Sequence, residues 1–286
     1  GCSSTVLTRV ALAYNKKVFE EANVPLPTDD WTFNDLIENA KKLTDKDKGV
    51  YGMVGTAGIT QGWFPFIKMA GGQALDETKT KSKFDDPKTA EGLAAIQTGI
   101  KEGYFSDLEF NQTNGGDVPV LAEGKAAMYI LQYSNQVTIN KNFPDTDWDV
   151  VKIPKSVDGE RYVPMVTNSW VVYSRAKDDA KEAAKLFLEY YLSEEVQNIL
   201  ADSGSSIPVN KKSITYLESL SSKPANKKAF TEGIAESGVT LDENGSWNEW
   251  RGAAQKYIND VANDQMAVED AIKQIHAEVQ KVLDEQ

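Results

Sequence analysis

The segment from residue 10 to residue 50 constrains the fold of this chain more than any other. It starts with the apolar run Val10–Tyr14, which fits a buried strand, and continues through a short helical pattern into a loop with two prolines. A second helix is predicted over 32–43, because Thr32 is a good N-cap and Asp35 follows it three residues later. That helix has one apolar face: Phe33, Leu36, Ile37, Ala40 and Leu43.

The rest of the chain alternates helical patterns with short β-rich runs, which is typical of the α/β class. Further strands are predicted at 50–54, 127–131, 150–153 and 170–173. Helices are predicted at 16–22, 62–70, 87–101, 177–191, 193–202, 211–220, 224–236, 247–263 and 267–284.

Composition sets the broad class of protein. The 286 residues are enough for two domains or lobes, and 41% hydrophobic with 26% charged residues is typical of a soluble globular protein. The net charge of −12 argues against a nucleic-acid partner, which needs a basic surface. No run of about 18 apolar residues occurs, so no membrane span is predicted.

The sequence lacks the residues that most catalytic and metal sites require. Its one cysteine, Cys2, and one histidine, His276, cannot form a disulfide framework, a zinc cluster or a Ser-His-Asp triad. The alternating carboxylates of 145–149 favour a solvated turn over a calcium loop. We therefore predict no catalytic residue, no metal and no cofactor.

Several segments, taken in order, carry a resemblance to a known family. After the 10–50 segment come FDDPKTAEGLAAIQTGIKEG, LAEGKAAMYI, WDVVKIP, VPMVTNSWVVYS with KEAAKLFLEYYLSEEVQNIL, and SWNEWRGAAQKYIND. This order resembles family 1 extracellular solute-binding proteins, the sugar-capturing subunits of bacterial ABC importers. The resemblance implies a two-lobe periplasmic-binding-protein-like fold of type II and a protein that binds a ligand without transforming it.

The resemblance also implies how the chain is divided between the lobes. Residues 1–9 would be a lipoprotein-like start, 10–153 the first part of the second lobe, 154–210 a remnant of the first lobe, and 211–286 the helical end of the second lobe. In the family a half-lobe precedes residue 10, so we expect the first lobe to be truncated. The apolar stripe of the helix at 177–191 would then need cover from a second copy of the chain, from local elements or from residues outside this sequence.

Aromatic residues are the first candidates for sugar binding, since a ring can stack on a pyranose. Trp63 and Gln61 lie in a glycine-flanked segment that resembles the family's ligand-side loop, although Trp63 could equally be a core residue. Trp250 matches a sugar-stacking position of the family, with Arg251 beside it in the first turn of a helix. We expect Trp247 to be the core residue of that pair.

Polar residues at two strand ends complete the predicted site. Tyr133, Ser134 and Asn135 end the strand at 127–131, although the Gly-x-Trp pattern of many relatives is missing there. Asn168 and Trp170 would face the cleft from the remaining strand of the first lobe. Asparagine offers both a donor and an acceptor to sugar hydroxyls, but Asn168 could also be a turn residue.

These patterns together predict an extracellular carbohydrate-binding protein that delivers an oligosaccharide to ABC permease subunits. Gly1-Cys2-Ser3-Ser4 resembles a lipoprotein start, so Cys2 is the expected lipid anchor, the only contact with the membrane, and a Gram-positive origin is expected. The alternatives are a glycerophosphodiester or peptide ligand, a surface scaffold that transports nothing, and a glycoside hydrolase.

Overall fold

The computed structural model describes residues 3–285, and a sheet of six strands runs through this part of the chain. The strands are β1 Ser3–Asn15, β2 Tyr51–Met53, β3 Ala126–Gln132, β4 Trp148–Val151, β5 Val163–Trp170 and β6 Gly238–Val239. The helices are α1 Lys16–Glu21, α2 Phe33–Leu43, α3 Phe64–Met69, α4 Pro87–Glu102, α5 Leu108–Thr113, α6 Asp117–Ala122, α7 Gln136–Asn142, α8 Asp178–Tyr191, α9 Glu194–Ser203, α10 Lys211–Ser219, α11 Lys228–Thr231, α12 Ile234–Ser237, α13 Trp247–Ala262 and α14 Val268–Asp284.

The long strand β1 organises the sheet, because its two halves have different partners. Residues 10–14 pair antiparallel with β3, and residues 12–15 pair antiparallel with β4. The first half, up to Arg9, pairs antiparallel with β5. β2 and β6 extend the two ends of the sheet in parallel with β3 and β5. One strand therefore connects the helix-rich part of the fold to the β5–α8 region.

The helices that cover the sheet begin where the sequence predicts. The Thr32 side chain accepts from the Asp35 backbone N–H while Asp35 accepts from Thr32, so the capping box is confirmed. Asp86 caps α4, whose first residue is Pro87. α4, α13 and α14 then pack against one another, and the apolar stripe of α14 is buried. This packing fixes the direction of α13, which carries part of the candidate site.

The structure differs from the predicted elements in three places. The strand expected at 170–173 lies at 163–170 instead, since β1 extends back to Ser3 and offers it a pairing edge. The short helices α5, α6 and α7 were not predicted. The helix expected at 224–236 is two short helices, because Gly233 has a left-handed φ of 67° that breaks it. Among the described residues, no helix is long and apolar enough to cross a membrane.

Helix α8 contains no buried residue within the described chain. Trp170 at the end of β5 packs edge-on against Phe187 and Tyr191 of α8, yet Trp170 and Phe187 remain 52% and 48% exposed. Local elements therefore do not cover this surface, which is one of the three possibilities raised by the sequence. We call it the α8 patch, defined by Trp170, Leu186, Phe187, Tyr190 and Tyr191.

Candidate functional site

The loop that follows β2 is held in one conformation by its glycines. Residues 59–63 form a π-helical turn in which Gly62 has φ −117° and ψ −105°. A Cβ on Gly62 would come within 2.3 Å of the Thr56 carbonyl oxygen, so only glycine fits without moving the backbone. This close approach folds residues 56–62 into a compact turn in front of α3.

One face of the loop is joined to α13 by a half-buried side-chain bridge. The Trp63 indole N–H donates to Gln255 Oε1 at 3.1 Å, and Gln255 Nε2 donates to the Ala57 carbonyl at 2.7 Å. Trp63 is fully buried and packs against Phe64 and Phe84. Gln255 therefore joins both ends of the loop to α13 by hydrogen bonds, although it lies 192 residues after Trp63 in sequence.

The loop also contacts the end of β3. Gln61 Nε2 donates to Asn135 Oδ1 at 3.2 Å, and both side chains are half-buried. Asn135 lies in a 3-10 turn, Tyr133–Asn135, that follows β3, and the half-buried Ser134 is its neighbour in this turn. Three of the residues singled out from the sequence, Gln61, Ser134 and Asn135, thus occupy adjoining turns.

Gln255 belongs to a row of side chains along α13. Residues four apart lie on one face of a helix, so Trp247, Arg251, Gln255 and Asn259 form a row. Gln255 donates to Asn259 Oδ1 at 2.9 Å, and the Arg251 guanidinium stands 5.3 Å from the centre of the Trp247 ring. Trp247 and Arg251 are half-buried, so an aromatic face and a cation lie within two turns of the loop.

Behind the loop, a carboxylate network holds its first residues. Asp117 accepts hydrogen bonds from Tyr129 Oη and Asn111 Nδ2, each at 3.1 Å. Asn111 also donates to the Gly55 carbonyl at 2.6 Å, and the Ser106 hydroxyl donates to Asn111 Oδ1. The loop is therefore fixed from the α5–α6 side as well as from α13.

With this geometry described, the chain can be compared with known proteins. The family model of the bacterial extracellular solute-binding proteins matches residues 5–231, which is most of the sequence. The chain belongs to this family. The resemblance carried by the ordered motifs is thereby confirmed. No curated protein matches the chain.

Solved structures share the fold of this solute-binding protein at low sequence identity. An ABC substrate-binding protein from Listeria monocytogenes, Lmo0181 in complex with cycloalternan, is 22% identical with a TM-score of 0.85. Maltose-bound MalE3 of T. maritima is 19% identical at 0.77, and UgpB of Mycobacterium tuberculosis with glycerophosphocholine is 14% identical at 0.80. The alignments cover 99%, 98% and 98% of this chain and 71%, 72% and 70% of those chains. The α/β periplasmic-binding-protein-like fold is confirmed.

The structure corrects the roles given to three aromatic residues of this solute-binding protein. Trp63, Tyr133 and Trp250 each have 0% exposure, so none of them offers a ring face to a ligand in this conformation. Trp250 lies on the buried side of α13, whereas Trp247 is half-buried, so our expectation for this pair was the wrong way round. Tyr133 packs edge-on against Phe230 at 5.2 Å, and burial raises the pKa of its hydroxyl to about 12.

The remaining predicted site residues lie apart from this group. Asn168 and Trp170 are exposed among the last residues of strand β5, and Trp170 belongs to the α8 patch. Within residues 3–285, neither has a hydrogen bond or ring contact with the loop or α13 candidates. Cys2 lies outside the described residues.

Sequence reasoning missed Gln255 and Asp117 as members of the site. Gln255 had no local signal, since its partners Ala57 and Trp63 are distant in sequence. Its position on α13 offered a partial one, because it falls at the four-residue spacing that starts at Trp247 and Arg251. Asp117 stands directly after Gly115-Gly116, and no motif in the sequence singles it out.

We expect the Asp117 network to make stability depend on pH. Burial raises the pKa of Asp117 above its ordinary value, so the native state binds this proton more tightly than the unfolded chain. The contribution of Asp117 to the free energy of unfolding therefore rises as pH falls through the raised pKa. It is lost as pH increases, with a slope of up to about 1.4 kcal/mol per pH unit. Urea unfolding between about pH 4 and 7 should show a flatter profile for Asp117→Asn than for wild type.

Asp47→Asn provides the control for this measurement, because it removes one carboxylate from an exposed position. Superimposable profiles for Asp117→Asn and wild type would contradict the role given to burial.

Proposed function

We propose that this protein is the solute-binding component of an ABC importer and binds a neutral carbohydrate beside the 56–63 loop. The observation that carries the proposal is the set of contacts around this loop: Gln61 with Asn135 on one side, and Gln255 with Trp63 and Ala57 on the other. These contacts gather several amides at the loop, and the row that contains Gln255 continues along α13 to a half-buried tryptophan, Trp247, and to Arg251. Such side chains suit a sugar, since the ring stacks on apolar C–H faces and the amides both donate to and accept from hydroxyls.

In this proposal Trp247, rather than Trp250, provides the stacking ring. Its partner Arg251 would donate to hydroxyl or ring oxygens, while Gln61, Ser134 and Asn135 would bind the other edge of the sugar. The ligands of similar structures support the ligand class, because those proteins bind cycloalternan, cyclic α-maltosyl-1,6-maltose and maltose. Glycerophosphocholine is the second candidate, named for UgpB.

The ligand class can be tested with a panel of maltose, cycloalternan and glycerophosphocholine. Tryptophan fluorescence should change saturably with at least one saccharide at up to millimolar concentration. Product analysis of the same mixtures should recover the saccharide intact, because we propose binding without catalysis. Release of new reducing ends by pure protein would contradict the non-enzymatic role, and saturable binding of glycerophosphocholine alone would replace the carbohydrate.

We further propose that the protein works outside the cell with ABC permease subunits. Membership of an extracellular solute-binding family supports this location. Lipid attachment through Cys2, delivery to a permease, the Gram-positive origin and the division into lobes at residues 9, 153 and 210 stay predictions from the sequence.

The α8 patch should make this chain associate with itself. Exposed aromatic and aliphatic side chains on one helix face favour burial against another protein surface, and a second copy is the partner always present in a pure sample. We therefore expect Phe187→Glu to lower the mass measured by light scattering at a given concentration. Lys185→Glu on the same helix serves as the control, since it adds negative charge without removing apolar surface. A monodisperse wild-type monomer would contradict the homodimer.

A further inference from the structure

A cavity lies away from the sugar candidates, where β1 and β5 meet α11 and α12. It has a volume of about 260 Å³, enough for a small ion with several waters, since one water takes about 30 Å³ in the liquid. No residue of the 56–63 loop, the 133–135 turn or the Trp247 row lines it. The cationic residues in its wall are Arg9, Lys152, Lys155 and Arg161.

Arg9 is the unusual member of this wall, because it is a buried cation without an ion pair. Its side chain is 1% exposed, and among the described residues no carboxylate lies within salt-bridge distance of its guanidinium. One nitrogen, Nη1, donates to the carbonyls of Phe230 and Glu232, each at 3.0 Å, and Nη2 donates to the Ser237 hydroxyl at 3.0 Å. Burial lowers the pKa of Arg9 to about 10, which reflects how poorly the charge is solvated.

The hydrogen bonds of Arg9 use three of its five N–H groups, so two have no partner among the described residues. A guanidinium has five N–H groups, and Nε of Arg9 is buried and bonded to no other described residue. The neighbouring Nη2 uses one donor on Ser237 and carries a second. Oxygen atoms of a carboxylate or phosphate are the natural acceptors for an arginine, because two parallel N–H···O bonds match their spacing.

The carboxylates of the cavity wall are more exposed than its cations. Arg161 is half-buried, donates to the backbone carbonyls of Ile153 and Asp29, and forms no ion pair with a described residue. Of the acidic residues in the wall, Glu160, Glu232 and Glu236 are all exposed, and Glu232 is held by Lys152 at 2.5 Å. Glu236 acts electrostatically on Arg9, and Asp29 and Asp30 act on Arg161. Solvent screens these largely exposed carboxylates, so they offset the two guanidiniums only in part.

We propose that this cavity binds a small oxyanion, a phosphate or carboxylate group, between Arg9 and Arg161, which both line it. An anion there would compensate a cation that is otherwise buried unpaired, and it would join β1 and the loop after β4 to α11 and α12. The site would be separate from the sugar surface, so its occupancy does not depend on the proposed carbohydrate.

Calorimetric titration of the full chain with sodium phosphate and with sodium acetate, at constant ionic strength, tests the proposal. At least one of the two should bind saturably with a Kd of about 1 mM or tighter, and the one that binds identifies the source of the oxyanion. Arg161→Gln should weaken that binding by about tenfold or more, since it removes a charge-assisted donor. Arg175→Gln is the matched control, because Arg175 is exposed and outside the cavity.

A second variant, Arg9→Lys, keeps the charge and removes the forked donors, so it should also weaken binding by about tenfold if circular dichroism shows a native fold. Saccharide affinity should be unchanged in Arg161→Gln. Absence of binding by either anion up to about ten times the expected Kd would overturn the proposal. So would equal affinities for wild type and Arg161→Gln, or equal losses in Arg161→Gln and Arg175→Gln.

Discussion

Trp250→Ala should lower the free energy of unfolding by about 3–5 kcal/mol, the usual cost of truncating a fully buried aromatic residue. Trp250 is completely buried in the core and packs edge-on against Trp247 at 5.2 Å. Trp247→Ala should cost about 1 kcal/mol, because its ring is half-buried and loses mainly that contact. Denaturant unfolding followed by far-ultraviolet circular dichroism measures both values.

A conservative variant makes this prediction more specific. The Trp250 indole N–H is buried without a partner among the described residues, so Trp250→Phe removes an unsatisfied donor together with part of the ring. Trp250→Phe should therefore lower the free energy of unfolding much less than Trp250→Ala does. Equal losses of stability for Trp250→Ala and Trp247→Ala would contradict the placement of the two rings.

Gln255→Leu should both destabilise the fold and weaken saccharide binding. Leucine fills a similar volume, but it leaves the Trp63 indole N–H and the Ala57 carbonyl without the partners that Gln255 provides. Each buried group left unsatisfied costs about 1–3 kcal/mol, so we expect a loss of at least about 2 kcal/mol in the free energy of unfolding. Hydrogen exchange of residues 57–63 should become faster, because the loop loses its connection to α13.

Asn248 offers the control for Gln255, since it is an exposed amide residue on the same helix. Asn248→Ala should change stability by no more than about 0.5 kcal/mol and leave the exchange of the loop unaltered. Unchanged loop exchange in Gln255→Leu would show that Gln255 does not hold the 56–63 loop.

The sequence predicts this fold best where local signals agree. α2 and α14 combine a regular apolar stripe with a plausible start, and both are found within one residue of their predicted bounds. β5 was misplaced because its pairing depends on the first half of β1, which has no distinctive pattern of its own. The short helices α5–α7 carry too few turns for periodicity to identify them.

The site shows the same division between local and distant information. The burial of Trp250 could have been read from the sequence, because Ala254, Tyr257, Ile258 and Val261 continue its stripe and are buried with it. The burial of Trp63 could not, since its partner Gln255 comes from the other end of the chain. The sequence identifies residue types that suit sugars. It does not show which of them lie together, because that depends on tertiary contacts.

The indole N–H resonances of the six tryptophans provide the most direct test of where the ligand binds. Titration with the saccharide that binds in the fluorescence panel should shift the Trp247 signal progressively to saturation. The signals of Trp148, which is buried beside β1, and of Trp170, which lies on the α8 patch, should stay in place. An unshifted Trp247 together with a saturable shift of Trp170 would contradict the site proposed around the 56–63 loop.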